Sequence, residues 1–229
     1  MRASITGMEE RGFFSTGLQA VYPTDANCPK ANSMFGDDTR GDGNTRAERF
    51  FNGYHGGMDI PVPGGTPIIA IAGGKVVHMK EGKNIGGIKL IIQHAPQDTG
   101  TAYWIYSEYK HLKEMPNLEI GQHVSMGQEI ALAGKTGTIG GYYGDAGHSH
   151  LHLTTWFSPD DQYVRGRLFF PPNGQWADPL AILQQGPIES AKVRKLPDSQ
   201  KQVGIPYLVK GSEVFPAGSK LVWPFVCSR

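Results

Sequence analysis

Two short motifs constrain the fold of this chain more than any other feature. His55-Gly56-Gly57-Met58-Asp59 lies near the front, and His148-Ser149-His150-Leu151-His152 follows far downstream. Together they offer several imidazoles and one carboxylate at spacings that suit a single zinc ion. A catalytic zinc takes three protein ligands and leaves the fourth position to water. A fold that uses both motifs must carry them to one point, and metal-assisted hydrolysis is the chemistry the combination suggests.

The front motif has to bend. A fully extended strand would separate the α-carbons of His55 and Asp59 by roughly 13 Å, too far for two side chains on one metal. Gly56-Gly57 permits a turn or bulge there, because glycine tolerates backbone angles that other residues avoid. The rear motif reads as a strand, with His148, His150 and His152 on one face and about 6.7 Å between neighbours. Of two adjacent histidines in such a row, one can bind a metal while the other reaches water or substrate. Spacing leaves open whether the working pair is 148/150 or 150/152. His78, His94 and His123 stand singly and read as structural, and His111 in Tyr109-Lys110-His111-Leu112 is undecided on chemistry alone.

The rest of the chain predicts a mostly β protein. In 229 residues there are 31 Gly and 16 Pro with no repeat period, which suits many short strands joined by turns. Strand-like runs lie at Thr66–Ile71, Lys75–Met79, Ile88–His94, Ala102–Tyr109 and Glu129–Ala133. Long helical periodicity is missing, and Ala181–Gln185 offers at most one turn of helix. The net charge of +1, without a basic run, argues against nucleic acid as a partner. No window approaches the length of apolar sequence that spans a membrane. The start, Met1 to Gly7, lacks the apolar core of a signal peptide, so the protein stays inside or a leader has been removed. Asp37 to Asn44 has a faint look of a calcium loop. The acidic ligand at the end of such a loop is absent, however, so it reads as an ordinary surface loop. Cys28 and Cys227 would pair in an oxidising compartment and tie the two ends of the chain together; otherwise they are two thiols.

From about Ser33 to Leu183 the sequence resembles the M23 zinc metallopeptidases, the LytM or lysostaphin-type endopeptidases. Met34-Phe35-Gly36 with Arg40 resembles the opening Phe-Gly-x-Arg of that family. His55-Gly56-Gly57-Met58-Asp59-Ile60, Gly65-Thr66-Pro67, Gly73-Gly74-Lys75-Val76-Val77 and Tyr109-Lys110-His111-Leu112 follow in the family's order. So do Gly121-Gln122, Gly127-Gln128, the closing His150-Leu151-His152 and Asp178-Pro179-Leu180. The resemblance implies His55, Asp59 and His152 as ligands of one Zn2+ per chain and His150 as general base. It implies His111 as the residue that orients the water and steadies the developing charge, and leaves His148 outside the pattern. It also implies an all-β fold of mainly antiparallel sheets forming an open groove, with little helix. Residues 1–32 would be an irregular N-terminal extension, 33–185 the M23-like zinc peptidase domain, and 186–229 a C-terminal extension of unassigned role.

The implied activity is zinc-dependent endopeptidase cleavage of peptidoglycan stem peptides or cross-bridges at an extracytoplasmic site. The alternative is a zinc-binding regulator of other wall hydrolases that does no chemistry itself, against which the complete set of five residues argues. A phosphocarrier of similar architecture would need neither the Asp nor the His-x-His strand. Two departures from the family stand out. Thr138 to Ser149, with Gly140-Gly141-Tyr142-Tyr143-Gly144, is longer than usual and would reshape one wall of the cleft. Thr154 stands where many members carry a glutamate. Tyr54, Tyr142 and Tyr143 are surface aromatics that would lie near the groove.

Overall fold

The runs at 75–79, 88–94 and 102–109 become strands of one antiparallel sheet, while those at 66–71 and 129–133 pair with each other in a separate two-stranded sheet. A computed structural model describes residues 5–48, 51–82, 86–138, 148–165, 171–184, 186–211 and 213–229. In chain order the elements are α1 (Ile5–Glu9), β1 (Gln19–Val21), β2 (Met58–Pro61), β3 (Pro67–Ile69), β4 (Gly74–Lys80), β5 (Lys89–His94) and α2 (Pro96–Thr99). Next come β6 (Trp104–Lys110), β7 (His123–Val124), β8 (Glu129–Leu132), β9 (His150–Ser158), β10 (Gln175–Ala177) and α3 (Pro179–Leu183). The chain closes with α4 (Ser190–Val193), β11 (Gln202–Gly204), β12 (Tyr207–Val209), β13 (Glu213–Phe215) and β14 (Val226–Cys227). Among the described residues every helix is short, so the mostly β expectation holds.

The central sheet runs β10-β9-β6-β5-β4-β7, with β2 also paired to β9. Strand β9 is its organiser. One edge of β9 pairs β6 from His152 to Ser158; the other is divided, its first half pairing β2 and its second half β10. All these pairings are antiparallel. Because side chains alternate, Leu151, Leu153 and Phe157 of β9 enter the main core with Leu90, Ile92, Ile105 and Tyr109. His150, His152, Thr154 and Trp156 point to the opposite face.

That opposite face is covered over only part of its area. Met8, Phe13, Phe35, Ile91, Tyr106, Trp156 and Trp176 form a second apolar cluster on it, with Phe13 packed against Phe35, Phe51 and Trp176. The N-terminal segment is thus less irregular than its prolines and asparagines suggest. It carries a helical turn and strand β1, which pairs β11 in parallel from the far end of the chain. Each piece is only a few residues long, and the partner of β1 is remote in sequence.

The C-terminal segment packs back through Val209, Leu221, Trp223 and Phe225, all in the main core. Its sheet, β13-β12-β14, is tied to the β3 region by Val222 N–H donating to Ile71 (2.8 Å) and Ile69 N–H to Pro224 (2.9 Å). Cys28 and Cys227 form a disulfide across a sequence separation of 199. No helix among the described residues is long and apolar enough to cross a membrane.

Candidate metal centre

Pairing of β2 with β9 puts Asp59 directly opposite His152, and the chain before β2 folds back to bring His55 over both. His55 Nε2 lies 3.1 Å from Asp59 Oδ1 and 3.1 Å from His152 Nδ1, and that nitrogen lies 2.8 Å from the same oxygen. Three donor atoms thus form a triangle with edges of 2.8–3.1 Å. Ligands about 2.0–2.1 Å from a tetrahedral zinc stand about 3.3 Å apart, so the triangle is close to one face of such a site.

The reason for Gly56-Gly57 differs from the sequence reading. Neither has a φ in the left-handed region. Gly57 is required by proximity instead: a Cβ there would lie 2.4 Å from the Leu153 carbonyl oxygen, 2.8 Å from His152 Nε2 and 2.9 Å from Thr154 Oγ1. Gly56 has room, with Phe13 and Phe51 ring atoms at 3.5 Å.

Each donor is held from behind. His55, almost wholly buried, donates Nδ1–H to the Met34 carbonyl at 2.9 Å with Ser33 Oγ at 3.2 Å. This fixes the tautomer and turns the Nε2 lone pair to the site. His152 Nε2 meets Thr154 Oγ1 at 3.0 Å, so the threonine supplies the outer contact that the missing glutamate left open. Arg46 NH2 approaches Asp59 Oδ2 at 3.5 Å and donates to Ser33 Oγ at 2.6 Å. Arg46 is therefore the arginine beside Asp59. The Asp37–Asn44 loop positions it, through Arg46 N–H to Asp38 and Nε–H to Thr39. Burial pushes the Asp59 carboxyl up, but the adjoining His55 and His152 rings hold it well below the usual range. Burial lowers His152 well below the ordinary imidazole value.

His150 and His111 flank this triangle. His150 Nε2 lies 3.7 Å from Asp59 Oδ1, and the His111 ring sits 4.7 Å from the His150 ring and 5.8 Å from His152. His150 donates Nδ1–H to the His148 carbonyl (3.1 Å), and His111 donates Nδ1–H to the Thr136 carbonyl (2.8 Å). Both rings therefore keep Nε2 as the free acceptor. His111 holds a left-handed φ of 62°, which costs a non-glycine residue about 1 kcal/mol or more. Burial, reinforced by the His150 charge, pushes it down to about 4, so it is neutral at pH 7.

The side chain of His148 is exposed; only its backbone is used. His94 is fully buried between the Gly73 carbonyl and Ser107 Oγ, each at 2.7 Å, a structural role as expected. His123 is exposed on β7. Tyr54 is exposed, while Gly140, Gly141, Tyr142, Tyr143 and Gly144 lie outside the described residues. Among the described residues, His55, Asp59 and His152 form the one group of three or more metal-ligating side chains close enough to share an ion.

Residues 53–165 match the model of peptidase family M23. This segment belongs to peptidase family M23. His55, Asp59, His111, His150 and His152 all fall within the matched segment. An uncharacterized metalloprotease of Buchnera aphidicola is 33% identical over 105 residues, covering 46% of this chain and 24% of that protein. The peptidoglycan DD-endopeptidase ShyA of Vibrio cholerae is 36% identical over 113 residues, covering 49% and 21%. The chain thus spans about a quarter or less of the length of these curated relatives. Among solved structures, a zinc-containing peptidase from Vibrio cholerae is similar with a TM-score of 0.41 and 26% identity, covering 58% of this chain and 34% of that one.

Proposed function

We propose that the protein is a zinc-dependent endopeptidase acting on peptide cross-links of bacterial peptidoglycan. The observation that carries this reading is the convergence of His55 Nε2, Asp59 Oδ1 and His152 Nδ1 within 3.1 Å of one another. Two nitrogens and a carboxylate oxygen are the donor set of a catalytic zinc. His55, Asp59 and His152 would hold it, one ion per chain, with Met34, Thr154 and Arg46 fixing their orientation. When bound, zinc supplies a Lewis acid that polarises the scissile carbonyl and lowers the pKa of water to about 7.

The chain's own residues do the rest. His150 accepts the water proton at Nε2, its Nδ1–H being committed to the His148 carbonyl, and passes it to the leaving amine. His111 has the same tautomer, so in its neutral form it orients the attacking water by accepting its second hydrogen. It has no Nε2 proton with which to donate to an oxyanion, which narrows the role drawn from the family resemblance. The site stays partly open, with His150 and Asp59 side chains 19% and 18% exposed, as an extended peptide requires.

The disulfide supports an oxidising, extracytoplasmic place of work. The test is digestion of purified cell wall, following release of new amino termini, with a chelator and with zinc restored. Release that the chelator abolishes and zinc recovers is expected. A protein that holds zinc yet releases nothing would be a regulator of other wall enzymes instead.

A further inference from the structure

Strand register extends the candidate metal centre into a basic track. Asp59 pairs with His152, His152 with Lys110, Lys110 with Lys89, and Lys89 with Lys80. Cross-strand partners share a face of the sheet, so three lysines stand side by side on the face that carries the metal ligands. At about 4.8 Å per strand, the row runs roughly 14 Å from His152 to the Lys80 backbone. Like charges placed directly opposite one another are destabilising, so a row of this kind is not what folding alone would select.

One carboxylate lies beneath the row. Glu108, with 3% of its side chain exposed, binds Lys89 Nζ at 2.8 Å through Oε1 and Lys110 Nζ at 2.7 Å through Oε2. Although burial opposes ionisation, the two ammonium groups hold the Glu108 carboxyl at about 2, so it is charged. A single negative charge offsets one of two lysines, and exposed Lys80 adds another positive charge. Both paired ammonium groups also reach solvent, with Lys89 28% and Lys110 18% exposed. Lys110 Nζ is 3.5 Å from Thr154 Oγ1, which touches His152. The track therefore begins at the reaction centre.

His78 sits one row along, opposite Ile91, which pairs Glu108. It is buried, and its Nδ1 has no hydrogen-bond partner among the described residues. Tyr163 packs at 6.0 Å from its ring, and the charges of Lys89 and Arg165 reach it.

We infer that Lys110, Lys89 and Lys80 form a subsite that takes a carboxylate of the peptide being cleaved, so that the enzyme selects acidic strands over neutral ones. The inference rests on the endopeptidase reading. Glu108 fixes the two inner ammonium groups in advance, which lowers the entropy lost on binding. A charge-assisted contact of this kind is worth roughly tenfold in affinity. A carboxylate on the peptide is favoured over a phosphate polymer because the track runs directly out of the site where that same peptide must lie.

The test uses two matched peptides, one bearing a free carboxylate and the other amidated, with binding and cleavage both measured. Binding to the His150→Ala protein is expected to favour the acidic peptide about tenfold, and added salt should reduce the preference. In Lys89→Gln the ratio is expected to fall to near one, with a partial fall in Lys80→Gln, whose exposed position leaves the fold intact. Equal binding of both peptides to the parent protein would overturn the inference, as would an unchanged preference in both lysine variants. So would displacement of both peptides by a polyphosphate chain with no preference between them. Selective binding without cleavage by the parent protein would instead uphold the subsite and sink the endopeptidase reading.

Discussion

Two adjacent glycines should respond to the same substitution in opposite ways. In Gly57→Ala the added methyl would meet the Leu153 carbonyl oxygen at 2.4 Å and His152 Nε2 at 2.8 Å. The obstruction is backbone and a metal-ligand ring, so β2 and β9 must part by about 1 Å to restore ordinary contact. Overpacking of this kind costs about 2 kcal/mol, which lowers the Tm of a chain this long by about 4–8 °C. Moving His152 away from Asp59 should also weaken zinc binding by about 10–100-fold. Gly56→Ala meets only ring atoms of Phe13 and Phe51 at 3.5 Å, so its stability should stay within about 0.5 kcal/mol of the parent. Thermal melts and zinc titration of both variants are the assay. Equal effects at the two positions would refute the proximity argument and return the pair to a role in backbone freedom.

Thr154→Val removes the hydroxyl 3.0 Å from His152 Nε2 and should weaken zinc about 10–100-fold in competition with a chelating dye, whereas Thr154→Ser should not. His94, pushed down to about 4 by burial, stabilises the fold fully above its unfolded value near 6.5. That contribution is lost as pH falls from 6.5 towards 4, on the order of 3 kcal/mol. Asp178, raised to about 6 by burial, acts in the opposite sense. The measurement is therefore the difference in denaturation slope between the parent and His94→Asn, and an identical slope would exclude His94. Reducing Cys28–Cys227 opens a loop closed across 199 residues and should cost up to about 5 kcal/mol in urea unfolding; no shift would mean that the ends stay docked without it.

How much of this was readable from the chain depended on the range of each contact. His150 and His152 fall on one face by alternation alone, and His55 sits close enough in sequence to Asp59 for a bend to join them. Alternation did not choose among His148, His150 and His152, and the choice of His152 as ligand came from the family resemblance. Arg46 went unremarked, because its approach to Asp59 depends on the path of the Asp37–Asn44 loop. The lysine row was invisible for a similar reason. Lys80, Lys89 and Lys110 are ordinary scattered charges until the registers of three strand pairs are known. Nor could short β1 and β11 announce a pairing across most of the chain. Thr154 stood out as a departure, but its contact with His152 depends on how β9 twists at the site.

The central claim is that His55, Asp59 and His152 hold one zinc while His150 works beside it. Zinc content per chain, measured on the parent, Asp59→Ala and His150→Ala proteins after equal dialysis, tests it most directly. The account predicts one zinc in the parent and in His150→Ala, little in Asp59→Ala, and wall-digesting activity in the parent alone. A full complement of zinc with undiminished activity in Asp59→Ala would contradict it.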